Sequence, residues 1–248
     1  MSSRQQGDYP HQAPVLGVII PVFNTTQFFP ILFQKLQHLQ NTLHSWKMEV
    51  LIVDDGSDPP VQPILYPGLR IHQLRHTRNR GKGRALKTGF HFFCGRPEVK
   101  AIVTMDADLQ HPPEYIPAMI KTFQSSGADV VLGYRRRIPG VMPFHRILSN
   151  LLTSLIISLL VGRIVRDSQC GFRLYRKQVL QGLPMERNGF HLESELALRL
   201  GWRKVSLAFV EIPTIYQGQP SAIRNVADTL DFILMITKLS FHRWFGHV

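Results

Sequence analysis

The chain has 248 residues, 44% hydrophobic and 19% charged, an ordinary globular composition that allows one large α/β domain and excludes more than two small ones. Its formal net charge of +12 predicts an anionic partner: nucleic acid, acidic lipid headgroups or a phosphorylated substrate. The two cysteines, Cys94 and Cys170, have no metal-ligand spacing and form no disulfide framework, which suits a reducing cytoplasm.

Met1 to Gln12 is polar and reads as neither signal peptide nor anchor. Val15 to Val22 is a continuous apolar run closed by Pro21 and Asn24, as in a buried parallel strand. Phe28 to Trp46 follows with helical apolar spacing. Val50 to Val53 predicts a second strand, stopped by Asp54-Asp55-Gly56-Ser57, and Arg70 to Leu74 a third, weaker one. A helix is expected over Gly83 to Phe93, a strand over Ala101 to Met105, a helix over Glu114 to Ser125 and a strand over Asp129 to Gly133. Alternating strands and helices predict a doubly wound α/β sheet with its ligand site at the strand ends.

Two amphipathic segments follow. Ile147 to Val161 carries apolar pairs one helical turn apart, but Ser149, Asn150, Thr153, Ser154 and Ser158 interrupt it. No stretch is therefore expected to reach the roughly 18 apolar residues of a spanning helix. The last segment carries Leu230, Ile233, Leu234, Phe241 and Trp244 near Lys238, His242 and Arg243. Both segments suit either core helices or helices lying on a membrane surface.

Asp106-Ala107-Asp108 follows an apolar strand. Carboxylates one residue apart in extended chain point the same way, and two such groups with a diphosphate suit Mg²⁺ or Mn²⁺. The plain alternative is a solvated acidic turn. Asp54 and Asp55 are placed either to accept bonds from a base or ribose or to cap their own turn. Asn79 to Ala85 opens a helix with glycines and Lys82, which suits an anion or a basic surface loop. Asp167 and Arg173 lie in a compact polar cluster, as an acceptor-orienting base and a phosphate ligand or as an ion pair in a turn. Glu193 and Glu195 start a helix, either facing a site or serving the helix dipole.

The order of these runs is more telling than any one of them. Ile19 to Asn24, Val53 to Ser57, Asn79 to Gly83 and Asp106 to Glu114 resemble glycosyltransferase family 2. The last run, with Asp167 to Tyr175 and Glu211 to Tyr216, is most similar to the polyprenyl- and dolichyl-phosphate sugar synthases of that family. The resemblance implies a GT-A fold over residues 15–225, after a flexible stretch 1–14 and before a C-terminal amphipathic helix 226–248. It implies that the donor is held by Pro21, Phe23, Asn24, Val53, Asp54, Asp55, Lys82, Asp106, Ala107, Asp108, Gln110 and Arg135. It implies a Mg²⁺ or Mn²⁺ ion on Asp106, Asp108 and Gln110, and catalytic roles for Asp106, Asp108, Asp167 and Glu193. Arg135, Arg173, Ser221 and Arg224 would serve the acceptor or transferred phosphate. Thr25 departs from the family where an acidic residue often follows the Asn, and Tyr216 and Ala222 stand where mannose synthases carry basic residues.

The implied reaction is inverting transfer from a GDP- or UDP-sugar to a polyprenyl phosphate, by an enzyme peripheral to the cytoplasmic membrane face. Rival readings are a sugar-hydroxyl acceptor with Asp167, Glu193 or Glu195 as base, a silent nucleotide-sugar binder, and a nucleic-acid binder. The scattered basic residues, without an aromatic-basic motif, argue against nucleic acid.

Overall fold

The computed structural model describes residues 13–215 and 225–245. Strands β1 (Val15–Val22) and β2 (Lys47–Asp54) run parallel, with Pro21 beside Val53. β3 (Arg70–Arg75) adds to the outer edge of β2, and β4 (Val99–Thr104) to the other side of β1, both parallel. Beyond β4 lie β5 (Val130–Arg135), β6 (Arg173–Arg176) and β7 (Leu207–Ile212), in the sheet order β3-β2-β1-β4-β6-β5-β7. β6 runs antiparallel to both of its neighbours.

Helices on both faces explain why β1 is apolar throughout. Leu16, Val18, Ile20 and Val22 join the core under α1 (Phe29–Thr42) and α3 (Ile116–Ser126). Val15 and Ile19 turn the other way, toward α2 (Lys82–Cys94) and α6 (Leu192–Trp202). Glycines set the α2 distance. A Cβ on Gly17 would stand 2.7 Å from the Phe93 ring, and one on Gly89 2.5 Å from Ile19. A smaller core joins α4 (Phe144–Val161), α6 and α7 (Asn225–Phe245) through Ile157, Leu198, Phe232 and Met235. The short α5 (Lys177–Leu180) follows β6.

Several boundaries move for physical reasons. α1 ends at Thr42 rather than Trp46, because Trp46 leaves the helical stripe and plugs the core ahead of β2. β2 begins earlier than its apolar run, at Lys47. Its buried Glu49 is held by ion pairs to Arg70 and Arg96 and by a hydrogen-bond contact with the His72 ring. β6, β7 and the opening turn of α4 escape the apolar pattern altogether. α4 also corrects the membrane expectation: among the described residues it is one helix long and apolar enough to cross a membrane, with only 17% of it buried. Its hydroxyls do not break it, since Thr153 and Ser158 donate to carbonyls one turn back, at Ser149 and Ser154.

Candidate active site

The parallel strands end along one edge of the sheet, where open α/β folds bind ligands. β1 delivers Phe23 and Asn24 there, β2 delivers Asp54 and Asp55, and β4 leads into Asp106 to Asp108. The acidic pair lies past the strand, in a turn, so alternation along extended chain is not what aligns it. Leu109, at φ 63°, reverses the chain in a conformation that costs a side chain about 1–3 kcal/mol. Two bonds hold the turn: the Asp106 N–H donates to His111 Nδ1 (2.9 Å), and the Gln110 N–H to Asp108 Oδ1 (3.1 Å).

The two carboxylates have opposite surroundings. Lys82, the first residue of α2, places Nζ 2.7 Å from Asp106 Oδ1 and 2.9 Å from Glu193 Oε1. Burial alone would raise Asp106, but the Lys82 ammonium overrides it and holds the carboxyl down at about 2. Burial also opposes the Lys82 charge, and Asp106 and then Glu193 outweigh it, keeping the ammonium above its ordinary range. Asp108 moves the other way, to about 6, through burial first and repulsion from Asp106 second. Burial pushes His111 down to about 4, so the ring is neutral. Its Nδ1 accepts from Asp106, which puts the proton on Nε2, facing Cys170 Sγ at 3.9 Å.

This donor set fits a divalent cation. Asp106 is already neutralised, whereas Asp108 carries the charge that a cation in front of the turn would relieve. Gly171 gives the Lys82–Glu193 pair its room, since a Cβ there would meet Glu193 Oε1 at 2.9 Å and Lys82 Nζ at 3.2 Å. No group of three or more His, Cys, Asp or Glu side chains converges among the described residues. The described side chains would therefore supply only part of a cation's shell.

Asp54 and Asp55 are both buried and both serve the chain itself. Asp54 accepts from the N–H groups of Ser57 and Val61. Asp55 accepts from the Arg80 and Gly81 N–H groups and pairs with His76 at 2.6 Å, which pins the loop that opens α2. Asn24, at φ 51°, ties the end of β1 to this turn by accepting from the Asp58 N–H. Phe23 stands 43% exposed beside it. The glycines at the start of α2 admit backbone of this same chain rather than open space for a phosphate. The Arg84 N–H donates to Asn188 O at 2.9 Å, and Cβ atoms on Gly81 or Gly83 would strike residues 188–189.

Arg135, at the end of β5, is held flat by a two-pronged pair with Asp167, Nε to Oδ2 at 2.9 Å and Nη2 to Oδ1 at 3.2 Å. Asn150 Nδ2 and the Gln169 and Cys170 N–H groups also donate to Asp167 Oδ1. Burial works against this carboxylate, but Arg135 and these donors keep it below the usual range. Asp167 thus positions Arg135 and has no spare lone pair aimed at a substrate proton. Two further expectations are corrected. Arg173 is 1% exposed and donates to the carbonyls of Cys170, Ser168 and Glu193, each at 2.7 Å, so it braces the interior and does not reach a phosphate. Glu195 points away from the site, to the Glu186 and Arg187 N–H groups and Arg199, and is no base there. Ser221 and Arg224, with Tyr216 and Ala222, lie outside the described residues. Sequence reasoning assigns no role to His111 or Asn150. Neither has a partner close enough in sequence to signal one beyond the turn that His111 closes.

Residues 17–183 match the sequence model of glycosyl transferase family 2. The chain belongs to that family. It is 31% identical over 214 residues to the dolichol-phosphate mannosyltransferase of Pyrococcus furiosus, covering 80% of this chain and 55% of that one. It thus spans about half the length of that relative. It is 27% identical over 224 residues to the polyprenol monophosphomannose synthase of Mycolicibacterium smegmatis, covering 85% and 80% of the two chains. The solved glucosyl-3-phosphoglycerate synthase of Mycobacterium tuberculosis, in complex with Mn²⁺, UDP-glucose and phosphoglyceric acid, superposes with a TM-score of 0.63. That match has 18% identity and covers 91% of this chain and 79% of the other, and it bears out the GT-A fold.

Proposed function

We propose that this family 2 glycosyltransferase moves a sugar, with inversion, from a GDP- or UDP-linked donor to a polyprenyl phosphate at the cytoplasmic face of a membrane. The observation that carries the reading is the turn after β4, where Asp106 is neutralised by Lys82 and Asp108 is not. Asp108, with Asp106 and Gln110 beside it, would hold Mg²⁺ or Mn²⁺; a cation there supplies charge neutralisation for the departing diphosphate. Pro21, Phe23, Asn24, Val53, Asp54 and Asp55 form the adjoining strand ends that would take the base and ribose, either directly or by shaping the loop that opens α2.

The acceptor reading is supported by the absence, among the described residues, of an uncommitted base around this turn apart from the carboxylates assigned to the cation. Asp167 is occupied on both oxygens, Glu195 faces elsewhere and Glu193 is paired with Lys82. A sugar hydroxyl needs a proton acceptor, whereas a phosphate monoester, with a second pKa of about 6, is already ionised at neutral pH. Arg135, held by Asp167 and within the field of Asp106, presents a fixed cation to such a phosphate. What remains for the protein is alignment and charge stabilisation. Names of relatives that act on dolichol phosphate and polyprenol phosphate support the same class. Membrane placement is supported by the exposed leucines of α4 and by Leu230, Ile233, Leu234, Phe241 and Trp244 of α7, with Arg146, Arg163, Lys238 and Arg243 nearby in sequence.

The test is a transfer assay over a panel of nucleotide sugars with Mg²⁺ or Mn²⁺, with and without polyprenyl phosphate, read by mass spectrometry. A sugar-phosphate-lipid product is expected, and Asp108→Ala should lower turnover at least about 100-fold. Nucleotide release without lipid product would sink the acceptor assignment. An unimpaired Asp108→Ala would sink the metal role.

A further inference from the structure

Helix α4 wears its polarity inside out. Asn150, Ser154 and Ile157 are its buried residues, while Leu151, Leu152, Leu155 and Leu159 are exposed. The inward polar groups Asn150, Ser154 and the half-buried Ser158 form rungs one helical turn apart. Ser154 Oγ accepts from the Ser168 N–H at 3.1 Å, and Ser158 Oγ from the Val165 N–H at 2.9 Å. Both rungs end on backbone. The Asn150 rung ends on charge: Nδ2 donates to Asp167 Oδ1 at 2.6 Å, and Oδ1 accepts from Arg137 Nε at 2.8 Å.

One carboxamide, 2% exposed, therefore joins two guanidinium groups, Arg137 directly and Arg135 through Asp167. Packing alone does not call for an amide here, because an apolar side chain would bury at lower cost on this leucine-rich helix. The charge chain gives the amide its purpose. We propose that Asn150 is a positioning residue for the acceptor: it fixes Arg135 and Arg137 as a pair that grips the phosphate of a lipid phosphate, from a helix whose outer face meets the lipid's apolar surroundings. This rests on the acceptor reading given above. Cutting the rung leaves Arg137, of its described bonds, only the one from Nη2 to the Arg166 carbonyl at 2.6 Å, and removes one donor from Asp167, so the pair is held less firmly while the donor side of the site keeps every contact described for it.

The experiment titrates the whole chain with farnesyl phosphate in detergent, and separately with inorganic phosphate. Wild type is compared with Asn150→Ala, Arg137→Ala and Ser154→Ala, with thermal melting of each. Asn150→Ala and Arg137→Ala should each weaken farnesyl phosphate by about tenfold, and Ser154→Ala by less than about twofold. In transfer assays the loss should appear in KM for the lipid phosphate and not in KM for the donor. The same ratios with inorganic phosphate would place the effect on the headgroup. Arg137→Ala keeps the test open should Asn150→Ala fail to fold. Equal losses in Asn150→Ala and Ser154→Ala, wild-type affinity in Asn150→Ala or Arg137→Ala, or a wild-type chain that binds no farnesyl phosphate would each overturn the proposal. A wild-type chain that binds farnesyl phosphate but transfers no sugar to it defeats the acceptor reading, while Asn150 is still judged by the affinity ratios.

Discussion

Helices α1 and α4 are both amphipathic, and they are turned opposite ways. α1 buries Phe29, Leu32, Phe33, Leu36 and Leu39 against a sheet of valine and isoleucine. α4 buries Asn150 and Ser154 beside Ile157 and leaves Leu151, Leu152, Leu155 and Leu159 outside. What each helix faces makes the difference. The sheet under α1 has spent its backbone bonds on neighbouring strands and offers only hydrocarbon. The loop under α4 offers the N–H groups of Val165 and Ser168 and the carboxylate of Asp167, all of which need partners. A hydrophobic stripe shows that a helix has two faces; the neighbour decides which one is inside.

That contrast can be broken by substitution. Leu36→Ala on α1 removes a fully buried side chain and should cost about 2–5 kcal/mol in urea unfolding. Ser154→Leu makes the inner face of α4 as apolar as that of α1, and should destabilise by about 1–3 kcal/mol through overpacking and an unpaired Ser168 N–H. A gain in stability would show that α4 has no polar inner face to defend. Leu151→Ser with Leu155→Ser alters only exposed positions. The melt should barely move, while affinity for anionic vesicles should fall by at least about tenfold. Unchanged co-sedimentation would remove the membrane role from this face. The smallest effect is on acid stability. Asp167 is held below its ordinary value of 3.8, so its contribution is complete above that value and is lost as pH falls through the lower native one. Asp167→Asn should therefore flatten the acid limb of the urea midpoint below about pH 4. An identical limb in the variant would mean that Asp167 carries no such linkage.

The half of the fold that follows α1's logic was legible. Continuous apolar runs located β1, β2, β4 and β5 to within a few residues, and helical spacing located α1, α2 and α3. Elements built on polar bonds were not legible. β6 consists of Arg-Leu-Tyr-Arg, and its first arginine is buried against carbonyls that the chain brings from elsewhere. Strand pattern alone could not show that. The family's ordered motifs pointed to the turn after β4, but not to the partners within it. Lys82 meets Asp106 and Glu193 across 24 and 111 positions of sequence, and Asn150 meets Arg137 in the loop between β5 and α4. Such pairings exist only after the sheet has formed.

The antiparallel strand β6 has a consequence for how the chain is made. β4 and β5 do not pair with each other; β6 lies between them. During synthesis β1 to β4 are complete once Thr104 has emerged, yet the outer edge of β4 must wait for Arg173 to Arg176 to cover it. Through that interval a strand of Val-Lys-Ala-Ile-Val-Thr offers a bare edge to any neighbouring nascent chain. The seam of the finished sheet therefore closes only when β6 emerges, with the outer strand β7 still to join β5, and the four residues of β6 end the exposure of that edge.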